Sequence, residues 1–496
     1  MANWRTYPTV YEINTWAWLS DLSRESGQVV TLGNVPQAEL ERLAGYGFDA
    51  LWLMGVWQRS PGGRRVAQQR PDLQAEYRQA LPDYTPKDVS GSPYAILRYQ
   101  VDPALGGDEA LAALRRRLRL LGLRLILDFV PNHLAVDHAW LSWHPERLLH
   151  GDAADLAQEP GNYFRSDASG QPRVFAHGRD PYFDGWTDTV QLDYRRPDTR
   201  RAMTDILLAI AERCAGVRCD MAMLVTRDVF CRTWGGQVDP PQAEFWPAAI
   251  AKVKASHPDF LMLAEVYWGM EWELQQQGFD YTYDKCLYDR LLDGDATAVR
   301  LHLRANLEHQ RRLARFIENH DESRALAALG PQRSRAAATL ALTLPGLRLL
   351  HEGQLEGRKV KLPVQLGRRP SEPPEPGLEP FYRRLLAALC RPVFHDGDWH
   401  LLEPLEAWKG NSSHHAFVAH RWTLREEHHL VAVNLSSHPA QCFLRLDLPA
   451  LAGHPWRLQD LLSDAQYARD GDELLAQGLY LNLPSYGCHL FQLQPI

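Results

Sequence analysis

The sequence predicts an α/β protein: a (β/α)8 TIM barrel with a small insertion after strand 3 and a C-terminal antiparallel β-sandwich domain. Three observations predict this fold. The length of 496 residues exceeds one ordinary compact core and fits a barrel with an accessory domain. From Val10 to about Arg369, short apolar runs alternate with longer helix-periodic runs, as in βα units. From about Asp396, short alternating runs separated by turn residues are typical of a sandwich.

Eight short apolar runs are the candidate barrel strands. In chain order they cover residues 10–13, 50–54, 123–129, 217–220, 261–265, 279–283, 313–318 and 347–350. The sixth run is the weakest candidate because it is short and polar. Eight parallel strands with helices between them are expected to close into a barrel.

Interruptions of this pattern predict the domain boundaries. Residues 1–133 and 190–390 are assigned to the barrel, residues 134–189 to an inserted subdomain over the barrel mouth, and residues 391–496 to the sandwich. The insertion is rich in Gly, Asp and aromatic residues and too long for an ordinary loop. Residues 359–380 are dense in proline, which fixes φ and removes a backbone donor, so an extended loop is expected there.

Composition and charge exclude several classes of partner. The net charge is −7 with both signs mixed along the chain, so no basic stripe is available for nucleic acid. The sequence has no apolar run of about 20 residues and no leader-like start, which predicts a cytoplasmic protein without a membrane partner. Seven cysteines without CxxC spacing predict neither a disulfide framework nor a zinc site. The oligomeric state is not predicted.

Two histidine pairs, His414-His415 and His428-His429, lie in the alternating C-terminal region. Successive residues of a strand point to opposite faces, so one member of each pair is expected to face outward. Surface histidines are therefore favoured over a metal site.

Acidic residues follow several predicted strands, at the end where parallel barrels build their active sites. Strand three ends in Asp128-Phe129 and is followed by His133, strand four ends at Asp220, and strand five ends at Glu265. Asp321 follows strand seven. Buried carboxylates are costly, so several of them aimed at one cavity indicate a polar substrate and charge chemistry.

Asp220 and Glu265 have different surroundings, which suits them to different roles. Hydrolysis of a glycoside with retention needs two carboxyl groups roughly 5 to 5.5 Å apart, one nucleophile and one general acid/base. Arg218 lies two positions before Asp220, on the same side of a strand, and its charge favours the ionised nucleophile. Apolar neighbours of Glu265 favour its protonated form. Asp321 could accept hydrogen bonds from sugar hydroxyls and favour the distorted ring.

Four motifs occur in a characteristic order: DFVPNH at 128–133, GVRCD at 216–220, Glu265 after strand five, and ENHD at 318–321. With them the sequence resembles the α-amylase superfamily of retaining α-glycosidases and transglycosylases. The resemblance implies that Asp220 is the nucleophile, Glu265 the acid/base and Asp321 the transition-state stabiliser. It also implies that Arg218 orients Asp220.

The resemblance further implies which residues contact the sugar. His133 and His320 would hydrogen-bond hydroxyls of the glucose unit being cleaved, and Tyr94 resembles the aromatic platform under that ring. A packing role for Tyr94 is the alternative. Three more aromatic residues are candidates for stacking, with packing equally open: Trp186, Tyr267 and Trp268.

The sequence departs from many polymer-degrading relatives beside the nucleophile. Met221-Ala222-Met223-Leu224 follow Asp220 where those relatives carry Lys and His, which weakens the interpretation as an ordinary amylase. Asn132 and Asp193 match positions near calcium in relatives. Calcium needs roughly six or more oxygen ligands, and the sequence offers no such set. No cofactor is predicted, and calcium is left open.

The function expected from these residues is that of a retaining glycoside hydrolase. Its substrate would be an α-glucoside, an oligosaccharide such as a maltooligosaccharide or a smaller compound, with α-1,4 as the expected linkage. A transglycosylase or glucoside isomerase with the same covalent intermediate is an alternative. Another is a non-catalytic carbohydrate-binding barrel, which would be expected to lack one of the three acids. Chain-length preference and endo or exo action are left open.

Overall fold

Eight parallel strands close into a barrel in the computed structural model, which describes residues 4–235 and 241–496. They are β1 Thr9–Asn14, β2 Ala50–Met54, β3 Arg124–Phe129, β4 Gly216–Cys219, β5 Leu261–Ala264, β6 Tyr281–Tyr283, β7 Leu313–Arg315 and β8 Leu347–His351. Each strand pairs with its neighbour in chain order, and β8 pairs with β1. The predicted barrel is confirmed, and each predicted strand overlaps one of the eight.

The register of β4 and β5 places the two central acids side by side. Cys219 is opposite Ala264, so the next residues, Asp220 and Glu265, leave the barrel at the same level. The Asp220 amide donates to the Phe129 carbonyl at 2.9 Å, and the Glu265 amide donates to the Cys219 carbonyl at 3.0 Å. Sheet hydrogen bonds therefore fix the backbone of both acids.

Helices connect the strands and supply the remaining regular structure. Their bounds are Thr15–Ser26, Gln37–Ala44, Pro61–Gln69, Pro71–Ala80, Gly107–Leu120, Trp140–Trp143, Ala153–Gln158, Pro197–Ala211, Arg227–Trp234, Trp246–Ser256, Glu271–Gln276, Lys285–Asp293, Ala296–Leu303, Leu307–Arg311, Ala325–Thr343, Leu378–Leu389, Val393–Asp396 and Gly471–Ala476. The helix Ala325–Thr343 is kinked at Gly330, whose φ is 72°, next to Pro331.

The insertion after β3 is a small β-rich unit. At the two ends of the insertion, strands His133–Ala135 and Thr189–Gln191 pair with each other in antiparallel orientation. Between them, His150–Gly151, Arg173–Ala176 and Tyr163–Ser166 form a three-stranded sheet. The proposed boundaries of this unit and of the other domains stay predictions.

The connection between β2 and β3 carries a second elaboration, which the sequence pattern did not indicate. It holds the helices Pro61–Gln69 and Pro71–Ala80 and an antiparallel pair of strands, Trp57–Arg59 and Ile96–Val101. These helices are short and mostly polar, so they lack a long apolar stripe that periodicity could detect.

Two antiparallel sheets form the C-terminal domain, as predicted. In spatial order the larger sheet contains Asp398–Leu402, Phe417–Leu424, Glu427–Asn434, Cys488–Pro495, Pro455–Asp460 and Gln466–Asp470. The smaller sheet contains Pro404–Glu406, Ala440–Leu444 and Leu479–Leu483. One continuous apolar core joins the barrel helices to Val418, Trp422 and Val431 of the larger sheet.

The prediction for His428-His429 was wrong, because both side chains are buried. Their exposed fractions are 5% and 1%. The ring of His429 packs on Phe394 of a barrel-side helix, while His428 faces Trp456 within the sandwich. Both faces of this strand are covered, so alternation does not bring either residue to solvent. His415 is exposed, in the short 3-10 helix Ser412–Ala416.

Among residues 4–235 and 241–496, no helix has the length and apolar character needed to cross a membrane.

Candidate active site

A cavity of about 410 Å³ lies at the C-terminal ends of the barrel strands. It brings together most of the residues predicted from the sequence to form the site: Tyr94, His133, Asp220, Glu265, Tyr267 and Asp321, together with Trp186. The volume lies in the range of about 300 to 1,000 Å³ that is usual for small-molecule sites.

Arg218 is buried behind the cavity lining, where it pairs with the acids of the site. Its fully buried guanidinium places Nη1 2.6 Å from Asp220 Oδ1 and Nη2 2.7 Å from Glu265 Oε2. Two further carboxylates, those of Asp128 and Asp321, lie 3.8 and 3.9 Å from it. One cation therefore holds the two central acids close together and balances part of the negative charge in the site.

Aromatic rings enclose the Arg218 guanidinium. Its carbon lies 5.1 Å from the ring centre of Tyr94, 5.3 Å from Trp52 and 5.9 Å from Tyr283. These rings offer cation–π contacts and keep bulk water away from the ion pairs. Tyr94 thus packs on the arginine and also lines the cavity, so its packing and sugar-facing roles are compatible.

Both carboxyl oxygens of Glu265 accept hydrogen bonds. Oε1 accepts from the Tyr267 hydroxyl at 2.8 Å, and Oε2 accepts from the Met221 amide at 2.6 Å. Burial raises the pKa of Glu265 to about 7, against the opposing effect of Arg218. The group is therefore protonated in a large fraction of molecules at neutral pH.

Met221 takes an uncommon backbone conformation to make its contact with Glu265. Its φ is 40° and its ψ is 50°, in the left-handed region that a side chain with Cβ rarely adopts. Two hydrogen bonds fix the next residue, Ala222: its backbone N–H donates to the Glu265 carbonyl at 2.9 Å, and the Trp246 indole donates to the Ala222 carbonyl at 2.8 Å.

Asp220 is buried, and burial raises its pKa, whereas the ion pair with Arg218 acts in the opposite direction. Its hydrogen bond from Arg218 Nη1 uses Oδ1. The side chain also lines the cavity, so it is accessible to a bound ligand.

His320 and Asp321, which follow β7, form an ion pair. His320 Nε2 lies 2.9 Å from Asp321 Oδ2 and 2.5 Å from the Tyr94 hydroxyl, while Nδ1 hydrogen-bonds Glu12. Burial alone would lower the pKa of His320, but Asp321 and Glu12 raise it to about 10. Burial acts to raise the pKa of Asp321, but the charge and hydrogen bond of His320, together with the charges of Arg218 and Lys361, hold it below its usual range. Asp321 is therefore an ionised acceptor facing the cavity.

His133 is a neutral residue in this site. Burial lowers its pKa to about 3, and its ring lies 5.2 Å from the Trp186 ring. Trp268, in contrast, does not line the cavity. It is 39% exposed, has a φ of 64°, and contacts Tyr182 edge-on with the ring centres 5.1 Å apart.

Glu12 was not found from the sequence as a residue of the site, whereas Asp128 was expected there at the end of strand three. Glu12 of β1 pairs with His320, and Asp128 accepts from the Trp52 indole at 3.2 Å and from the Gly55 amide at 3.1 Å. Burial raises the pKa of Asp128 to about 7. A charged residue within an apolar strand, as in VYEIN, was the signal for Glu12.

The remaining wall of the cavity comes from segments outside the predicted motifs. The elaboration after β2 supplies Val66, Ala67, Arg70 and Leu73, and the proline-rich loop after β8 supplies Val364 and Gln365. Asp188 and Thr189, at the end of the insertion, also line the cavity.

The donor set at Asn132 and Asp193 does not fit a calcium ion. Gln191 donates to the Asn132 side-chain oxygen at 3.0 Å, and Arg195 donates to both Asp193 oxygens at 2.8 Å. An arginine thus supplies the positive charge beside Asp193. Within the described ranges, no group of three or more His, Cys, Asp or Glu side chains is arranged to hold a metal ion.

A family model described as "Alpha amylase, catalytic domain" matches residues 37–362. "Alpha-amylase 3" of Dictyoglomus thermophilum is 23% identical over 293 residues, covering 55% of each chain. "Alpha-amylase MalA" of Haloarcula japonica is 28% identical over 247 residues, covering 48% of this chain and 32% of that protein. The matched segment thus spans about half or less of these relatives.

Solved structures share the fold over the whole length. The alpha-amylase from Geobacillus thermoleovorans, complexed with acarbose, has a TM-score of 0.69 and 20% identity, covering 100% of this chain and 99% of that one. An alpha-amylase from Lactobacillus plantarum has a TM-score of 0.68 and 22% identity, covering 98% and 99%.

Proposed function

The chain belongs to the alpha-amylase family of glycosidases and transglycosylases, and from that membership we propose that it is a retaining hydrolase of α-glucosidic bonds. The proposed substrates are maltooligosaccharides or related small α-glucosides, with α-1,4 as the linkage. The observation that carries the proposal is the single guanidinium of Arg218, bound to both Asp220 and Glu265. One side chain spanning two carboxyl groups supports the short separation that retention requires.

In the first step, Asp220 attacks the anomeric carbon and displaces the leaving-group oxygen. Glu265 donates its proton to that oxygen as the glycosidic bond breaks. The pKa of about 7 for Glu265 supports this role, because the proton is present near neutral pH. Arg218 holds the Asp220 carboxylate in position for the attack.

In the second step, Glu265 acts as a base on an incoming water, which releases the sugar from Asp220 with the original anomeric configuration. Asp321, His133 and His320 are proposed to bind hydroxyls of the reacting ring. These contacts favour the transition state if they strengthen as the ring flattens and positive charge develops.

We expect replacement of Asp220 by Ala to lower kcat for maltooligosaccharides by about 10³-fold or more, because the covalent step is lost. An Asp464→Ala variant is the control, since that exposed side chain lies in the C-terminal domain and should leave kcat unchanged. Proton NMR of the first product formed by the wild type should show the α-anomer. Initial release of the β-anomer would contradict retention.

Transfer to a sugar hydroxyl is the second candidate outcome of the same intermediate. Two curated relatives carry the name "Alpha-1,4-glucan:maltose-1-phosphate maltosyltransferase", one of them 29% identical over 50% of this chain. The apolar Met221 beside Glu265 also supports a site with limited water. Products longer than the starting oligosaccharide would identify transfer, and glucose with shortened chains would identify hydrolysis.

A further inference from the structure

A distinct wall of the cavity is built from two segments that are far apart in the sequence. We call residues 61–91 and 362–368 together the cap. The first segment contains the helices Pro61–Gln69 and Pro71–Ala80, and the second belongs to the proline-rich loop. They share a small apolar core of Ala67, Tyr77, Leu81, Val89 and Leu366.

Backbone hydrogen bonds join the two segments of the cap. The Ser90 amide donates to the Gln365 carbonyl at 2.8 Å, and the Gly367 amide donates to the Asp88 carbonyl at 2.8 Å. Arg368 adds ion pairs to Asp88 at 2.6 Å and to Asp83 at 3.1 Å. The proline-rich loop is therefore fixed to the helices and does not depend on a ligand for its position.

Arg59 fixes the cap to the barrel. Its buried guanidinium donates to the Gly91 carbonyl and to the Ser90 hydroxyl, both at 2.6 Å, and packs on Trp16 at 4.9 Å. Arg59 ends the short strand Trp57–Arg59 that follows β2, so the wall is held at the barrel rim.

The position of the cap relative to Glu265 gives the direction of the substrate. In a barrel of eight strands, β1 lies opposite β5, and the two segments of the cap follow β2 and β8, the neighbours of β1. Glu265 follows β5 and, under the proposed function, protonates the leaving-group oxygen. The leaving group therefore extends toward β5, and the sugar on the non-reducing side faces the cap.

The cap offers little to a further sugar ring. Val66, Ala67, Leu73 and Val364 present apolar side chains to the cavity. Sugar hydroxyls buried against such a surface would lose their hydrogen bonds to water without replacement, which is costly. Arg70 and Gln365 are the polar members of this wall. They can bind hydroxyls at the terminal end of one ring.

From this arrangement, and resting on the proposed function, we infer that the enzyme is exo-acting. The cap closes the non-reducing side of the site, so the enzyme removes single glucose units from a free non-reducing end. Internal bonds of a longer chain are excluded, because cleaving them requires the chain to continue through the cap.

The test compares maltoheptaose with maltoheptaose whose non-reducing end carries a 4,6-benzylidene group, both labelled fluorescently at the reducing end. The free chain should shorten one unit at a time, beginning with the labelled hexaose. The blocked chain should react at least about 100-fold more slowly. Internal cleavage of the blocked chain would overturn exo action while leaving the hydrolase intact. Cleavage of neither chain, nor of an aryl α-glucoside, would overturn the proposed function together with this inference.

A double variant, Leu73→Ala with Val364→Ala, tests whether the cap sets the specificity. The smaller side chains enlarge the cavity on the non-reducing side, so disaccharide release or cleavage of the blocked chain should appear. Leu475→Ala, at a 40% exposed site in the C-terminal domain, is the matched control and should keep the wild-type products. Wild-type products from a folded double variant would overturn the role of the cap.

Discussion

Tyr267 illustrates how a single hydroxyl can tune the proposed acid. It donates to Glu265 Oε1, and a donor to a carboxylate stabilises the ionised form. Burial, acting against Arg218, raises the pKa of Glu265 to about 7. For a group that must be protonated, kcat/KM is constant below this pKa and falls as the pH rises through it.

We expect Tyr267→Phe to move the alkaline limb of the kcat/KM profile to higher pH by about 0.5 to 1 unit. Removing the donor destabilises the ionised carboxylate, so the pKa of Glu265 rises and the acid stays protonated further into the alkaline range. The measurement is kcat/KM as a function of pH. Tyr480→Phe, in the C-terminal domain, is the control, and a limb that moves to lower pH would contradict the prediction.

The local sequence identified some residues of the site and missed others. Asp220, Glu265 and Asp321 follow strands in motifs of fixed order, so the sequence placed them at one cavity. Tyr267 and Trp268 are adjacent aromatic residues, and the sequence made both candidates for stacking on the sugar. Only Tyr267 lines the cavity. The positive φ of Trp268 turns the chain away from the cavity, and no feature of the local sequence predicts that turn. Glu12 was missed because its partner, His320, is 308 positions away.

Gly346 is required where the chain enters β8. Its φ is 119°, and a Cβ there would lie 2.2 Å from the Leu313 carbonyl oxygen. Gly122 precedes β3 with a φ of 79°, and a Cβ there would meet no atom within 4 Å. A comparison of substitutions at the two glycines therefore separates the free-energy cost of the backbone angle from that of the clash with the Leu313 carbonyl.

We expect Gly346→Ala to lower the free energy of unfolding by roughly 3 kcal/mol or more, because backbone must move to admit the methyl group. Gly122→Ala, the matched control, should cost only about 1 to 2 kcal/mol, from the left-handed angle alone. Urea unfolding followed by tryptophan fluorescence measures both. Equal losses of unfolding free energy in the two variants would show that the contact with Leu313 adds no cost to the substitution at Gly346.

Elements with strong periodicity were predictable, and elements stabilised by distant partners were not. The barrel strands are short buried runs, and all eight were found within a few residues of their ends. The helices Pro61–Gln69 and Pro71–Ala80 bury small apolar patches against Leu366, which comes almost 300 positions later. A local stretch of sequence contains only one of the two surfaces that pack together there, so the pattern does not predict the contact. The buried pair His428-His429 failed as a prediction for the same reason.

For the whole molecule, Trp422 is a direct link between barrel and sandwich. It is fully buried, donates to the Thr343 carbonyl at 2.7 Å, and contacts Phe394 with the ring centres 5.9 Å apart. His420 on the same strand hydrogen-bonds the Thr343 hydroxyl. Because one apolar core spans both units, their stabilities are coupled.

We expect Trp422→Ala to destabilise the protein by about 3 to 5 kcal/mol and to shift a single unfolding transition that includes both units. Trp408→Ala, at a site 56% exposed, should change stability little. Differential scanning calorimetry distinguishes the outcomes. A sandwich transition that moves alone, with the barrel transition unchanged, would contradict the coupling.

The cap also has a consequence for the order in which the site forms during synthesis. The ion pair of Arg368 with Asp88 joins residues 280 positions apart, whereas the three central acids are complete once residue 321 has emerged. Contacts of such long sequence separation are slow to form, and the N-terminal parts of a nascent chain fold first. A ribosome-bound chain that ends before residue 362 therefore carries the acids and the cap segment 61–91, but it lacks residues 362–368, which complete the wall and hold that segment in place. Selectivity for chain ends is thus acquired last, when the polypeptide is nearly three-quarters synthesised.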